Sequence, residues 1–545
     1  MKQIIQDIKN GQTYLEDVPV PAINSESVLI KTTRSLVSLG TEKMLVDFGR
    51  SSYFQKARQQ PEKVQMVLDK MRTDGIFPTL ESVFNKLNQP MPLGYCNVGI
   101  VQDVGKNVSG INIGERVISN GNHAEYVSVP QNLVSKIPDN VTDDEAVFTV
   151  IGAIGLQGIR LLEPTFGETI VVIGLGLVGL ITADILLANG CNVIGFDFDI
   201  NKVEIAKSKG VIAKKIDDNL NQVNFVQSST NNIGADGIVI TASSKSNEII
   251  SHSAQMCRKK GRVVLVGVVG LNINRSDFYE KEISFKVSCS YGPGRYDDNY
   301  EQKSHDYPIG YVRWTEKRNF NAILNAISKG NIEVKSLITD RIKFENFSKI
   351  YDNLNNSKSI ASILTYNQDS KNESLISINS RNFEPGKGII GIIGSGNYTS
   401  AVILPQLKKI KAQISYVASS NGLSSTKLAK KFNISNSTTD YNHILNDSNV
   451  DLVLITTRHD THAEIIIKSI KAGKNVFVEK PLCLNESELA QIISHYNESK
   501  TSIMVGFNRR FSPMAQKLKS LLGDNTIPIN IVMNVNSGYI PTDSW

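Results

Sequence analysis

Ile170-Val171-Val172-Ile173-Gly174-Leu175-Gly176-Leu177-Val178-Gly179 carries the clearest local signal in the chain. The β-branched apolar run predicts a buried strand, the GxGxxG spacing a tight turn, and the residues through Leu187 a helix. Gly174 permits the turn, Gly176 lets the backbone approach a pyrophosphate, and Gly179 lets helix and strand pack closely. A second apolar run, Asn192–Phe196, ends at Asp197, about 20 residues on, where a carboxylate binds adenosine ribose hydroxyls. That acid repels a 2′-phosphate, so the unit is expected to take NAD. A glycine-rich turn with no ligand is the bland alternative, and the strand, helix and acid in sequence weigh against it.

Much further on, Gly388-Ile389-Ile390-Gly391-Ile392-Ile393-Gly394-Ser395-Gly396-Asn397-Tyr398 restarts the same pattern. Here Thr399 holds the third glycine position, and the next strand, Gln413–Val417, leads into Ala418-Ser419-Ser420 with no acid. This unit is open to NAD or NADP. Two nucleotide folds in 545 residues imply an α/β chain of several domains. Between them, the polar stretch from Asn367 to Lys387 reads as a linker.

Bulk properties bound the function. At 41% hydrophobic and 21% charged residues the chain is ordinary globular protein. No apolar run reaches the roughly 18 residues of a membrane span. Five scattered cysteines (Cys96, Cys191, Cys257, Cys289, Cys483), with no CxxC pair, point to a reducing, cytoplasmic setting. A formal charge of +6, spread among acids, gives no reason to expect nucleic acid as a partner.

The segment from Met1 to about Val150 reads as strands and turns rather than long helices. Pro92-Leu93-Gly94-Tyr95-Cys96-Asn97-Val98-Gly99, Gly114-Glu115-Arg116-Val117 and His123-Ala124-Glu125-Tyr126 resemble motifs of the medium-chain (zinc-type) alcohol dehydrogenase family. The resemblance covers about residues 1–366. It implies a GroES-like β-barrel over 1–148, resumed by 289–366, and a Rossmann domain over 149–288. The departures concern the metal. Leu39 replaces the family's first cysteine ligand, Tyr95-Cys96 its His-Glu pair, and no cysteine lies near Thr149–Gln157. Zinc needs three protein ligands around an open position. No zinc is therefore expected.

Two stretches of this half carry no assigned chemistry. Ser51–Gln89 reads as a basic helical insertion, a packed lid or an oligomer contact. Ser290–Asn319 is dense in tyrosine and arginine, which fits either a site that clamps anions and hydroxyls or a loop ordered by Arg–Asp pairs.

In the second half, Asp451–Thr457 predicts a strand leading into Thr457-Arg458-His459-Asp460-Thr461-His462, and Asn475–Val478 a strand ending at Glu479-Lys480-Pro481. With Ile503-Met504-Val505-Gly506-Phe507-Asn508-Arg509-Arg510-Phe511, these resemble the Gfo/Idh/MocA oxidoreductase family. The resemblance implies a Rossmann domain over 388–526, with cofactor contacts at Gly394, Gly396, Asn397, Thr457 and Glu479. Lys480 inherits a catalytic place beside the nicotinamide, and His462 is a second catalytic candidate. Ile529–Val535 alternates as a strand should, the expected start of a substrate domain over 527–545.

The order of the halves resembles bacterial bi-domain oxidoreductases linked with surface-polysaccharide synthesis. That implies a small sugar-like substrate, no membrane partner and a homo-oligomer. Two alternatives stay open: a nucleotide-binding scaffold or pseudoenzyme, and a zinc-independent reductase using only the first half.

Overall fold

The computed structural model describes residues 1–51, 55, 56, 58, 64–67, 90–354, 359–381, 383, 386, 388–523 and 528–534. Most of the insertion read at Ser51–Gln89 lies outside the described residues.

The barrel sheet is organised by one long strand, Ser27–Val37, which pairs antiparallel with Asn97–Val104, Tyr126–Pro130 and Ala361–Thr365. The last of these returns from the far side of the first Rossmann unit, and Ile338–Lys343 lies beside it. A small sheet of Thr13–Asp17, Lys2–Gln6 and Met91–Pro92 stands next to the barrel.

The first Rossmann sheet runs in the spatial order Ile212–Lys215, Asn192–Asp197, Thr169–Ile173, Ala235–Ile240, Cys257–Leu265, Ser284–Val287. All its pairs are parallel. Such strands are covered on both faces, which is why they read as continuous apolar runs. The order reverses at Thr169–Ile173, so the crevice at its carboxyl end is the ligand position of the fold. The apolar helix Thr149–Leu162 packs between this sheet and Glu316–Ser328. The stretch Asp143–Leu162 is long and apolar enough to cross a membrane, but 72% of it is buried inside the protein.

The second Rossmann sheet has the order Leu375–Ser377, Asn436–Thr438, Ile414–Ala418, Ile390–Ile393, Leu452–Ile455, Asn475–Glu479, Ile503–Gly506. Only Leu375–Ser377 is antiparallel. It comes from the stretch read as a linker, so part of that stretch is an edge strand of the second half.

Two other expectations need correcting. Leu39–Arg50, within the region read as strands and turns, is a helix. Ile529–Asn534 lies in no strand, and Ile529, Ile531 and Val532 are exposed. A strand pattern needs a partner edge, and no described strand pairs with it.

The halves touch directly. Ala22 N donates to Ser420 O (2.8 Å) and Val20 N to Glu373 O (2.8 Å). Thr439 Oγ1 donates to Val20 O, Lys430 pairs with Glu16, and Leu423 packs with Ile5 and Val18.

Candidate functional sites

At the first glycine-rich turn, Gly174 has φ +92°, and a Cβ there would sit 2.8 Å from Ala242 N. A Cβ on Gly179 would lie 1.9 Å from Gly174 O, so helix and strand touch through this glycine. A Cβ on Gly176 would meet nothing within 4 Å: its approach is open to a ligand. Asp197 stands beside the turn, its Oδ2 accepting from Leu175 N (2.7 Å) and its Oδ1 from Asp199 N (2.9 Å). The carboxylate is thereby fixed at the end of its strand.

The second turn repeats this plan with one change. Gly394 has φ +115° and is walled by Thr456, and Gly396 is open as Gly176 is. Thr399, in the third glycine position, is fully buried, and its hydroxyl bonds to Thr456 Oγ1 (2.7 Å). The helix opens there as a π-helical turn, Thr399–Ile403, which widens the backbone where a side chain replaces glycine. In both units a threonine hydroxyl closes the turn. Thr241 donates to Gly174 O (2.6 Å) and Thr456 to Gly394 O (3.0 Å). Sequence reading missed both threonines, although each directly follows an apolar strand.

Lys480 is exposed immediately beyond the strand Asn475–Glu479. Glu479 is held by Asn508, whose Nδ2 donates to Glu479 Oε1 (2.8 Å) and to Tyr398 OH (3.0 Å). Asn508 thus ties the last strand to the glycine-rich turn, a role that its place in the quoted motif did not reveal. Thr457 accepts at its hydroxyl from Thr461 (2.7 Å).

His462, expected to be catalytic, is instead fully buried, with Nδ1 2.7 Å from Pro481 O and Nε2 3.3 Å from Thr457 O. Both ring nitrogens face backbone carbonyls, so the side chain packs against the Lys480-Pro481 turn. The histidine nearer the surface is His459. Burial, then the neighbouring His462 and Lys480, lower its basicity.

A buried polar cluster lies near Cys96, one of the positions the resemblance marks for zinc. His123 lies between Ser35 Oγ (Nδ1, 2.7 Å) and Glu42 (Nε2, 3.2 Å). Tyr351 OH donates to Glu42, and Tyr366 OH bonds Ser35 Oγ (2.7 Å). Ser35, Glu42, His123 and Tyr351 have no exposed surface. Cys96 is also wholly buried, and burial, with Glu42 nearby, pushes its thiol well up. Of Leu39, Tyr95 and Cys96, only Cys96 carries a side chain that commonly binds zinc.

The tyrosine- and arginine-rich stretch begins at the carboxyl edge of the first Rossmann sheet and is ordered by its own pairs. Arg295 bonds Glu301 (2.5 Å), Arg318 bonds Asp306 (2.5 Å), and the Arg160 and Arg313 guanidinium groups both stack on the Trp314 ring. Beneath it lies a buried carboxyl pair. Glu316 is fully buried beside Glu301, and as a carboxylate it would have no hydrogen-bond donor. Burial, then the Glu301 charge, raise it to about 9, so at neutral pH it keeps its proton. An unfolded chain ionises this group near 4.5 while the fold retains the proton. The contribution is complete below the unfolded value, and stability should fall as pH rises from about 5 to about 9. Glu316→Gln keeps a donor and removes the titration. Melting curves across that range should show a shallower decline in the variant; identical slopes would assign the dependence to other groups.

The alcohol dehydrogenase GroES-like domain matches residues 68–139, the zinc-binding dehydrogenase family residues 178–304, and the oxidoreductase family with NAD-binding Rossmann fold residues 389–507. Myo-inositol 2-dehydrogenase of Thermotoga maritima is 32% identical over 149 residues, 27% of this chain and 44% of that protein. The chain thus spans under half the length of this inositol dehydrogenase. Sorbitol dehydrogenase 1 of Saccharomyces cerevisiae is 26% identical over 310 residues, 49% of this chain and 78% of that protein. Alcohol dehydrogenase TADH from Thermus sp. ATN1 superposes with a TM-score of 0.52 at 17% identity, over 67% of this chain and all (100%) of that one, a likeness of fold. The chain therefore joins a medium-chain alcohol dehydrogenase-like half to an NAD-binding Rossmann domain of the Gfo/Idh/MocA oxidoreductase family.

Proposed function

We propose that this protein is a cytoplasmic nicotinamide-dependent oxidoreductase acting on a CH–OH group of a polyol or sugar, with hydride transfer in the second half beside Lys480. The observation that carries the reading is the exposed ammonium of Lys480 at the carboxyl edge of the sheet, after a strand pinned by Asn508 and before a turn held by His462. An ammonium there stabilises the alkoxide left when the hydroxyl gives up its proton; hydride then passes to the nicotinamide and the oxygen becomes a carbonyl. Gly394, Gly396, Asn397, Thr457 and Glu479 are assigned to the cofactor, on the open turn and the strand ends around it. The relatives named for inositol and sorbitol support a polyol-like substrate. A sugar or nucleotide sugar of surface-polysaccharide synthesis is the finer reading, resting on the order of the two halves. Incubating the full-length protein with NAD or NADP and myo-inositol, sorbitol or nucleotide sugars tests it. Cofactor reduction is expected with at least one of them, and none with any would favour a nucleotide-binding scaffold.

The first half is assigned NAD through Asp197 and no zinc. In the full chain with its second turn blocked by Gly396→Asp, Asp197→Ser should weaken NAD about tenfold and end the discrimination against NADP. Calorimetry reads this directly, and equal NAD affinity would remove Asp197 from the ribose site. Elemental analysis of the full-length protein should find no stoichiometric metal; about one tightly held zinc per chain would reverse the assignment.

A further inference from the structure

We propose that the dinucleotide site of the second half is a composite, with residues Pro19–Ala22 of the first half forming the outer wall of its adenosine end. The inference rests on the cofactor reading of the second half. In a doubly wound sheet the adenosine ribose lies at the carboxyl end of the strand that follows the glycine-rich turn. Here that strand is Ile414–Ala418, and the turn beyond it is Ser419–Gly422.

This turn offers hydroxyls and an amide but no acid. Ser395 of the glycine-rich turn bonds Ser424 (2.5 Å), Ser424 bonds Ser419 (3.0 Å), and Asn421 Oδ1 accepts from Ser424 (3.1 Å). The chain of hydroxyls links the pyrophosphate turn to the ribose position, and each hydroxyl can rotate towards a ligand.

The first half closes on the same place. Ala22 N donates to Ser420 O (2.8 Å). Gly422 has φ +73°, and a Cβ there would stand 2.7 Å from Pro19 O, so the two backbones are in direct contact. Thr439, just beyond the next strand Asn436–Thr438, donates its hydroxyl to Val20 O. Pro19–Ala22 therefore spans the ends of both strands on the adenosine side. The contact is clamped by the ion pair of Glu16 with Lys430 and by Leu423 against Ile5 and Val18. Both turns that would hold the adenosine are set in place by the other half of the chain.

The test uses the full chain carrying Gly176→Asp, which puts a carboxylate in the open approach of the first turn and leaves the second as the dinucleotide site. ADP, the adenosine-side fragment, and NADH are titrated by calorimetry. Glu16→Lys, facing Lys430 with like charge, should weaken both about tenfold. The swap Glu16→Lys with Lys430→Glu should restore them. Ala22→Pro, which deletes the N–H bonded to Ser420, should also weaken both. Unchanged ADP affinity in Glu16→Lys and in Ala22→Pro overturns the composite site. Absence of any ADP or NADH binding in the Gly176→Asp chain would instead remove the cofactor reading of the second half, and the inference with it.

Discussion

Glu42→Ala is expected to destabilise the first half by about 3–5 kcal/mol, the cost of breaking a buried charged network by removing one partner. Glu42 is fully buried and accepts from Ser38 N (3.0 Å), the Tyr351 hydroxyl and His123 Nε2 (3.2 Å). Burial, with the Glu42 charge beside it, holds the Tyr351 phenol protonated, so its hydroxyl is a committed donor. Alanine would leave that hydroxyl, the imidazole and a backbone N–H without an acceptor in the interior. The network joins the helix Leu39–Arg50, the strand Ser27–Val37, the His123 loop and the returning segment at Tyr351. Its loss should therefore loosen the whole barrel. Denaturant unfolding of the full chain measures it, and a change under about 1 kcal/mol would show that water or neighbouring groups satisfy the stranded donors. Glu42→Gln, which keeps an acceptor oxygen, should cost distinctly less.

Near the positions that resemblance marks for zinc lies a buried polar cluster that ties several segments of the barrel together. Leu39, Tyr95 and Cys96 were legible as departures from a ligand set. The polar cluster beside them was not, because its members lie on segments as far apart as Ser35 and Tyr366 and share no local pattern. The Rossmann units were legible because parallel strands buried on both faces leave apolar runs, and because each glycine turn has a steric demand. The helix Leu39–Arg50 was missed for the opposite reason. Gly40 and Gly49 lower its intrinsic propensity, and its stability comes from burying Glu42 and Val46 against the barrel. Leu375–Ser377 is a strand only because Asn436–Thr438 offers an edge, which a three-residue segment cannot announce. The burial of His462 was hidden by the same limit. A histidine at a helix start gives no local sign that a carbonyl 19 residues away will claim its Nδ1.

If the proposed hydride transfer beside Lys480 holds, Lys480→Met is expected to lower its rate about a hundredfold or more, as the removal of one preorganised group at a developing oxyanion does. The strand Asn475–Glu479 is paired on both sides, with Val478 opposite Ile455 and Glu479 opposite Gly506. Pro481 cannot continue the ladder, so the chain must leave the sheet at Lys480. On one side Asn508 fixes Glu479, and on the other His462 fixes the Pro481 carbonyl. The lysine backbone is therefore held from both ends while its side chain is exposed at the carboxyl edge, where ligands of this fold bind. Methionine keeps the aliphatic length and removes the charge. The melting temperature should hardly move, since an exposed ammonium contributes under about 1 kcal/mol to stability. Arginine at the same position keeps the charge but spreads it over a wider plane, and should recover only part of the rate. Near-normal hydride transfer in the methionine variant would move the chemistry away from this turn. A large fall in melting temperature would instead make Lys480 a structural residue of the strand end.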